Sequence, residues 1–361
     1  MKKIKQILAV MISVITITST VAGCAASKTN EAASKSTTSA QTNKRTVKDQ
    51  GGTEVELPNE VTQIADLWHA NNQIVLLLGG ADKLVATTDN VKKIAWFAKV
   101  YPRIKEVKAP LNGNDVQIEE LMSLKPDVVL SSTDAQIEAA RNAGLKAVKV
   151  NFQNFDQMRE TVKLTAQVIG SDAEKKADEY LKYLDGNISY VAERIKNVPQ
   201  EKRPKVLHIV DGTNLLKVDG KKSMIDEWIN LSGGVNAINA EGNMITITME
   251  DIVKSNPDII IIGGTSASKG KETIENDPTW SSLSVVKNKK IYSNPVGTFN
   301  WDRYSAEEAL QILWAAKTLY PDLFQDLDLV KKTQEFYKQF LNYDLSSNDA
   351  QRIINGLDPE K

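Results

Sequence analysis

The 361-residue chain has one cysteine, two histidines and no excess of charge of either sign: 45 Lys and Arg stand against 46 Asp and Glu, a net charge of −1. Each shortage excludes something. A single thiol makes no disulfide framework and no thiolate metal cage. Two imidazoles are too few for sites that capture free Zn²⁺ or Mn²⁺. The same scarcity removes the common metal-hydrolase and thiol-nucleophile constellations. Without a basic stripe, nucleic acid is not an expected partner. No Gly-x-Ser-x-Gly elbow occurs. The stretch Gly263 to Lys271 invites a phosphate-loop reading, but Gly264 and Gly270 stand one residue too far apart and Glu272 replaces the required Ser or Thr. The expectation is a protein that is not an enzyme and carries no resident cofactor.

What is present begins at the N-terminus. Lys2, Lys3 and Lys5 precede an apolar run from Ile7 to Val21, and the small residues Val21-Ala22-Gly23 lead to Cys24. This is the order of a secretory signal, and the run is short for a membrane span. The only cysteine sits where a lipoprotein signal places the thiol that receives its lipid, so Val21 to Cys24 resembles a bacterial lipobox. Residues 1–23 read as a lipoprotein signal peptide and Cys24 as the lipidation site. Residues 24–44 are rich in Ser, Thr, Ala and Lys with almost no bulky apolar side chains, and read as a disordered tether. The expected location is the outer face of the cytoplasmic membrane, with the lipid as the only membrane contact and a monomer as the working form.

From residue 45 the chain alternates strand and helix patterns, which predicts an α/β fold with mostly parallel sheets. Strands are expected at Gln63–Leu67, Leu84–Thr88, Val128–Ser131 and Ala147–Val150, and again at Val206–Val210, Ile259–Ile262 and Lys290–Ser293. Between the two series lies a helical stretch. Its second helix carries apolar residues at Ala177, Leu181, Leu184, Ile188, Val191 and Ile195, a helical stripe. Ser171 and Glu174 predict a capping box at its start, and Ser305 with Glu308 another further on. The organisation expected is an N-terminal α/β lobe at 45–155, a helical connector at 156–199 containing one long inter-lobe helix, and a C-terminal α/β lobe at 200–361.

The two series repeat one unit. Ile118 to Leu130 reads IEELMSLKPDVVL, and Met249 to Ile261 reads MEDIVKSNPDIII. In each a glutamate, Glu119 or Glu250, stands seven residues before Pro-Asp, in the first turn of a helix leading into a buried strand. A carboxylate there favours the helix dipole. Its recurrence in both halves points further, to two pegs for a partner of approximate two-fold symmetry.

With the lipobox, the opening Thr46 to Pro58, Ser232 to Asn236, Asp277 to Trp280 and Tyr320-Pro321, these units resemble the class III solute-binding proteins for iron-siderophore complexes, haem and corrinoids. The resemblance covers the chain from about residue 46 to its end. It implies two Rossmann-like lobes joined by one long helix, a ligand held between them, and delivery to the permease and ATPase of an ABC importer. It also implies that Glu119 and Glu250 dock into arginine pockets of the permease. A metal chelate, a ferric siderophore first, is the expected ligand; haem, a corrinoid, a nickel chelate and a molybdate-type oxyanion fit the same class. A surface lipoprotein with no transport role is the alternative class.

Ligands of α/β lobes meet the loops beyond the carboxyl ends of the strands. Trp68 and His69, then Trp96, Tyr101 and Arg103, then Trp301, Arg303 and Tyr304 occupy three such stretches. Aromatic walls and a guanidinium suit a bulky anionic ligand. His69 and Tyr304, from opposite lobes, are expected to fill open positions on a chelated metal. His208, within a strand, and Trp228 and Trp314, within helices, are expected in the core. Trp280 belongs to the structural pattern of the family.

Overall fold

The computed structural model describes residues 45–360. Residues 1–44, read above as signal peptide, lipidation site and tether, lie outside the described residues. An antiparallel hairpin of β1 (Arg45–Lys48) and β2 (Glu54–Leu57) opens the fold. Two parallel-rich sheets follow. The first contains β3 (Ile64–Asp66), β4 (Leu84–Ala86), β7 (Val128–Ser131) and β8 (Ala147–Lys149) in the order β4-β3-β7-β8, all parallel. Between β4 and β7 lies a small hairpin of β5 (Leu111–Asn112) and β6 (Asp115–Val116).

The second sheet is built on β9 (Lys205–Ile209), β10 (Lys217–Val218), β11 (Val235–Asn236), β12 (Ile245–Thr246), β13 (Ile259–Ile262) and β14 (Ile291–Ser293). Its path runs β12-β10-β9-β13-β14, with β11 also paired to β9. The parallel members β11, β9, β13 and β14 repeat the order of the first sheet, and β10 with β12 is an antiparallel addition. Strands β7 and β13 are buried along their whole length. Such strands lie between helical layers and read as unbroken apolar runs, which is why IIII needs no polar alternation.

The repeated unit explains how each half begins its sheet. The helix Ile118–Ser123 ends with Lys125 at φ 50°, and the helix Met249–Ser255 ends with Asn256 at φ 44°. After each left-handed residue, Pro-Asp turns the chain into the strand. Asp127 donates its N–H to Gln63 O at 2.8 Å and accepts Gln63 N–H on Oδ2 at 2.9 Å. Asp258 does the same with Lys205, at 2.9 and 2.8 Å. The aspartate therefore fixes the register of β7 on β3 and of β13 on β9.

Two helices without an intervening strand, Phe155–Ile169 and Ala173–Ile195, connect the sheets. The second has 23 residues, about 34 Å at 1.5 Å each. It is held to the later part of the chain by Tyr180 Oη donating to Ala306 O at 2.8 Å and Asn187 Nδ2 to Ala309 O at 2.7 Å. The expected capping box at its start does not form. Ser171 takes φ 55° after Gly170, the N-cap is Asp172, and no side chain caps it. The box at Thr248 and Asp251, not foreseen, is complete. Among the described residues no helix is long and apolar enough to cross a membrane.

Candidate functional site

The carboxyl ends of β3, β4 and β7 open on a cavity of about 400 Å³ lined by residues that include Leu67, His69, Asn90, Lys93, Asn114 and Gln136. All but Asn114 of these positions lie on the segments that leave β3, β4 and β7, as the parallel topology requires. Gln136 is held in place: its Nε2 donates to Asn114 O at 2.9 Å and its Oε1 accepts from Ser131 Oγ at 2.6 Å. By contrast, the side chains of His69, Asn90, Lys93 and Asn114 have no hydrogen-bond or ion-pair partner among the described residues. An imidazole, two amides and an ammonium thus line the cavity without a partner in the fold, His69 half-buried and the other three exposed to water. Burial pushes the pKa of His69 down, so its ring is neutral at physiological pH and one nitrogen keeps a lone pair.

His69 also marks the seam with the second half. Its ring stacks on Phe299 with centroids 5.5 Å apart and planes 20° from parallel. Beside it, Tyr304 packs between Trp68 at 6.4 Å and Phe152 at 5.9 Å. The Tyr304 hydroxyl donates to Gln153 Oε1 at 2.9 Å and accepts from Asn243 Nδ2 at 2.7 Å. Its oxygen is therefore engaged, and burial pushes its pKa up, against the phenolate that a metal would select. The expected pairing of His69 with Tyr304 on one metal loses its second member for this reason. Among the described residues no group of three or more His, Cys, Asp and Glu side chains is placed to hold a metal ion.

Four other expected contacts are elsewhere. Trp96 is fully buried in the helix Ala95–Val100, and its indole N–H donates to Leu357 O at 2.9 Å. It fastens the end of the chain rather than lining a cleft. Tyr101 donates its hydroxyl to Ala81 O at 3.0 Å, and Arg103 donates to Asp82 O at 2.8 Å. Residues 81 to 83 lead into β4, so both side chains sit at the strand's amino end, opposite the cavity. Trp301 is fully buried, with its N–H on Glu307 Oε1 at 3.1 Å.

Arg303 is also inside. Its Nη2 lies 2.8 Å from Asp219 Oδ2, and its Nε 3.4 Å from Asp302 Oδ2. His208 completes the group, with Nδ1 2.9 Å from Asp219 Oδ2 and Nε2 3.0 Å from Asp302 Oδ2. Burial pushes the His208 pKa down, but the two carboxylates outweigh it and the net direction is up. The guanidinium spends Nη2 and Nε on the two carboxylates, its Nη1 is buried without a partner, and none of it is open to a ligand. His208 and Trp228 are buried as expected.

Sequence reasoning missed the tie between the halves. Gln73 Nε2 donates to Glu307 Oε2 at 2.7 Å and Thr298 Oγ1 at 2.9 Å, while its Oε1 accepts from Ala306 N–H at 2.7 Å. Glu307 is fully buried and also accepts from Tyr337 Oη at 2.6 Å and Phe299 N–H at 3.0 Å. Burial raises its pKa, and these donors pull against that rise. Gly297 must be glycine here, because a Cβ would collide with Glu307 Oε1 and Tyr337 Oη. The available signal was a glutamate pair, Glu307-Glu308, directly ahead of an apolar helix.

Glu119 and Glu250 are both exposed, each the second residue of its helix.

A family model described as periplasmic binding protein matches residues 64–296. The ABC transporter substrate-binding lipoprotein YvrC of Bacillus subtilis is 27% identical over 289 residues, 78% of this chain and 87% of its own length. The molybdate-binding protein MolA of Haemophilus influenzae is 24% identical over 336 residues, 85% of this chain and 94% of its own. Among solved structures, a periplasmic solute binding protein of Veillonella parvula superposes with a TM-score of 0.77 at 25% identity, covering 87% of this chain and 97% of that one. Twin parallel sheets, a long connecting helix and a family match across more than half the sequence lead to one conclusion: this chain belongs to the periplasmic binding protein family.

Proposed function

We propose that this protein is the lipid-anchored substrate-binding component of an ABC importer, and that it captures a compact, polar metal complex in the cavity beside His69 and delivers it to the permease. The observation that carries the reading is the set of unengaged polar side chains, His69, Asn90, Lys93 and Asn114, converging on one cavity at the carboxyl ends of the first sheet. Buried or half-buried polar groups normally find partners within the fold. Of the four only His69 is half-buried and without a partner; Asn90, Lys93 and Asn114 are exposed on the cavity rim, where they can turn toward a ligand that arrives from outside.

The size supports a compact ligand, since about 400 Å³ is near the lower end for small-molecule sites. The aromatic walls expected for haem or a corrinoid are largely absent, because Trp96 and Trp301 are in the core. A small ferric chelate fits best: His69 offers one imidazole, and the metal would bring its remaining ligands with it. A molybdate-type oxyanion is the second reading. It is favoured by Lys93 and the amides, which donate to anionic oxygen, and by the relative named for molybdate.

Cys24 and the tether would hold the domain at the outer face of the cytoplasmic membrane, and Glu119 and Glu250 would dock the two halves on the permease. The test is a thermal-shift screen with ferric siderophores, molybdate, a nickel chelate, haem and cobalamin. A true ligand at 100 times its Kd stabilises by about 2.7 kcal/mol. His69→Ala and Lys93→Ala should abolish that shift without lowering the unliganded midpoint. No shift with any of these compounds would remove the ligand class.

A further inference from the structure

The two repeated helices share more than a glutamate. Five large apolar side chains are exposed among the described residues, and two of them, Met122 at 46% and Val253 at 48%, occupy equivalent positions in the repeat. Scattered exposed apolar residues mean little. Two that recur at one place in two diverged halves, with the same exposure, are a different observation.

Their neighbours make the geometry definite. Leu121 and Ile252, one position earlier, are buried and anchor each helix on its sheet. Glu119 and Glu250 stand three residues before Met122 and Val253, which places each acid and its apolar partner side by side on one helix face. A left-handed residue, Lys125 or Asn256, and a buried proline follow each helix and lead it into its strand. Each half therefore offers a carboxylate next to a bare apolar side chain, built the same way twice.

We propose that Met122 and Val253 are apolar anchors of the docking surface, each inserted beside its glutamate into one subunit of a two-fold symmetric membrane dimer whose paired sites combine a basic side chain with an apolar wall. The proposal rests on the docking role of Glu119 and Glu250. The charges steer and orient the encounter, and the apolar side chains, desolvated at the centre of each contact, supply the slow dissociation. Thioether and branched side chains suit this role, because methionine adapts to an imperfect pocket and valine is already rigid.

The experiment uses the full chain and its own permease–ATPase complex in lipid nanodiscs, with affinity measured across a salt series. Met122→Ser with Val253→Ser should weaken docking about tenfold, with the salt dependence and the thermal midpoint unchanged. Met122→Leu with Val253→Ile should keep parental affinity. Glu119→Gln with Glu250→Gln should weaken docking and flatten its salt dependence. If the serine pair docks like the parent while the glutamine pair fails, the apolar anchors are refuted and the docking glutamates stand. If the leucine–isoleucine pair is as weak as the serine pair, the anchors are refuted as well. If neither the serine nor the glutamine pair changes docking, the docking role of this face falls, and the anchors fall with it.

Discussion

The two halves place an ionisable side chain in the same slot and treat it in opposite ways. The registers pair Asp66 with Leu130 and His208 with Ile261, and the repeat equates Leu130 with Ile261. Asp66 and His208 are therefore equivalent residues near the ends of β3 and β9, and both are fully buried. Asp66 meets only neutral groups: Asn71 Nδ2 at 2.9 Å and Trp68 N–H at 3.2 Å. Burial pushes its pKa up to about 8, so it holds its proton at neutral pH. His208 sits between Asp219 and Asp302 with Arg303 beside them, and the two carboxylates push its pKa up against burial, in favour of the charged ring. One fold position thus tolerates a neutral acid in a nest of amides or a cation in a web of charge. What it does not tolerate is an unpaired charge.

The largest effect should come from breaking the web. Arg303→Met leaves Asp219 and Asp302 with His208 alone, and removing one partner of a buried charged group costs about 3–5 kcal/mol. Denaturant unfolding at pH 7 measures it. A loss below about 1 kcal/mol would mean that the histidine suffices, and the contrast between the halves would shrink.

Asp66→Asn should act through pH. Between the ordinary carboxylate range near 4 and the folded value of about 8, the folded protein binds a proton that the unfolded chain lacks. Stability from this site therefore falls as pH rises across that window and levels off above it. The asparagine removes the slope. If the variant matches the parent at pH 5, it should be more stable by roughly 4 kcal/mol at pH 8, since the parent loses about 1.4 kcal/mol per pH unit across the window. His208 has the opposite charge type and a raised value. Its contribution is complete below its ordinary pKa and is lost as pH rises through the folded one. A parallel offset of parent and Asp66→Asn at every pH would show that Asp66 does not titrate in this window.

Where the halves meet, Gln73→Ala strips a donor from Glu307 and an acceptor from Ala306 N–H, both in the interior. Unmade buried hydrogen bonds cost about 1–3 kcal/mol, so a loss in that range is expected in urea unfolding. Unfolding that splits into two transitions would show in addition that this tie carries the cooperativity of the halves.

The alternation of strands and helices was legible because buried parallel strands are unbroken apolar runs. The repeat was legible because Pro-Asp does the same backbone work twice. The site was less so. His69, expected as a ligand contact, does line the cavity, and it opens the helix His69–Leu77. Asn71 and Asn72 look like loop residues, yet their amides point inward to Asp66 and Trp68. The helix Ala95–Val100 is too short to show a period. Arg303 looked free because its partner Asp219 is distant in sequence, and a tryptophan's neighbours cannot be read from its own position. Local patterns disclose elements, whereas long-range ion pairs and packing decide which polar groups remain for a ligand.

The smallest predicted effect sharpens the comparison at the two repeated helices themselves. The helix Met249–Ser255 has a complete capping box, with Asp251 N–H on Thr248 Oγ1 at 3.2 Å and Thr248 N–H on Asp251 Oδ2 at 2.9 Å. Its equivalent, Ile118–Ser123, begins at Gln117 with no side-chain cap. Thr248→Ala should cost about 1 kcal/mol. Gln117→Ser supplies the missing acceptor and should gain a few tenths to about 1 kcal/mol, less if the new hydroxyl faces water. Amide hydrogen exchange resolves the two: protection should fall in 249–255 for the first variant and rise in 118–123 for the second. Were Gln117→Ser to leave exchange unchanged, the first helix would owe its order to Leu121 on the sheet rather than to its end, and the two helices would differ in rigidity by packing alone.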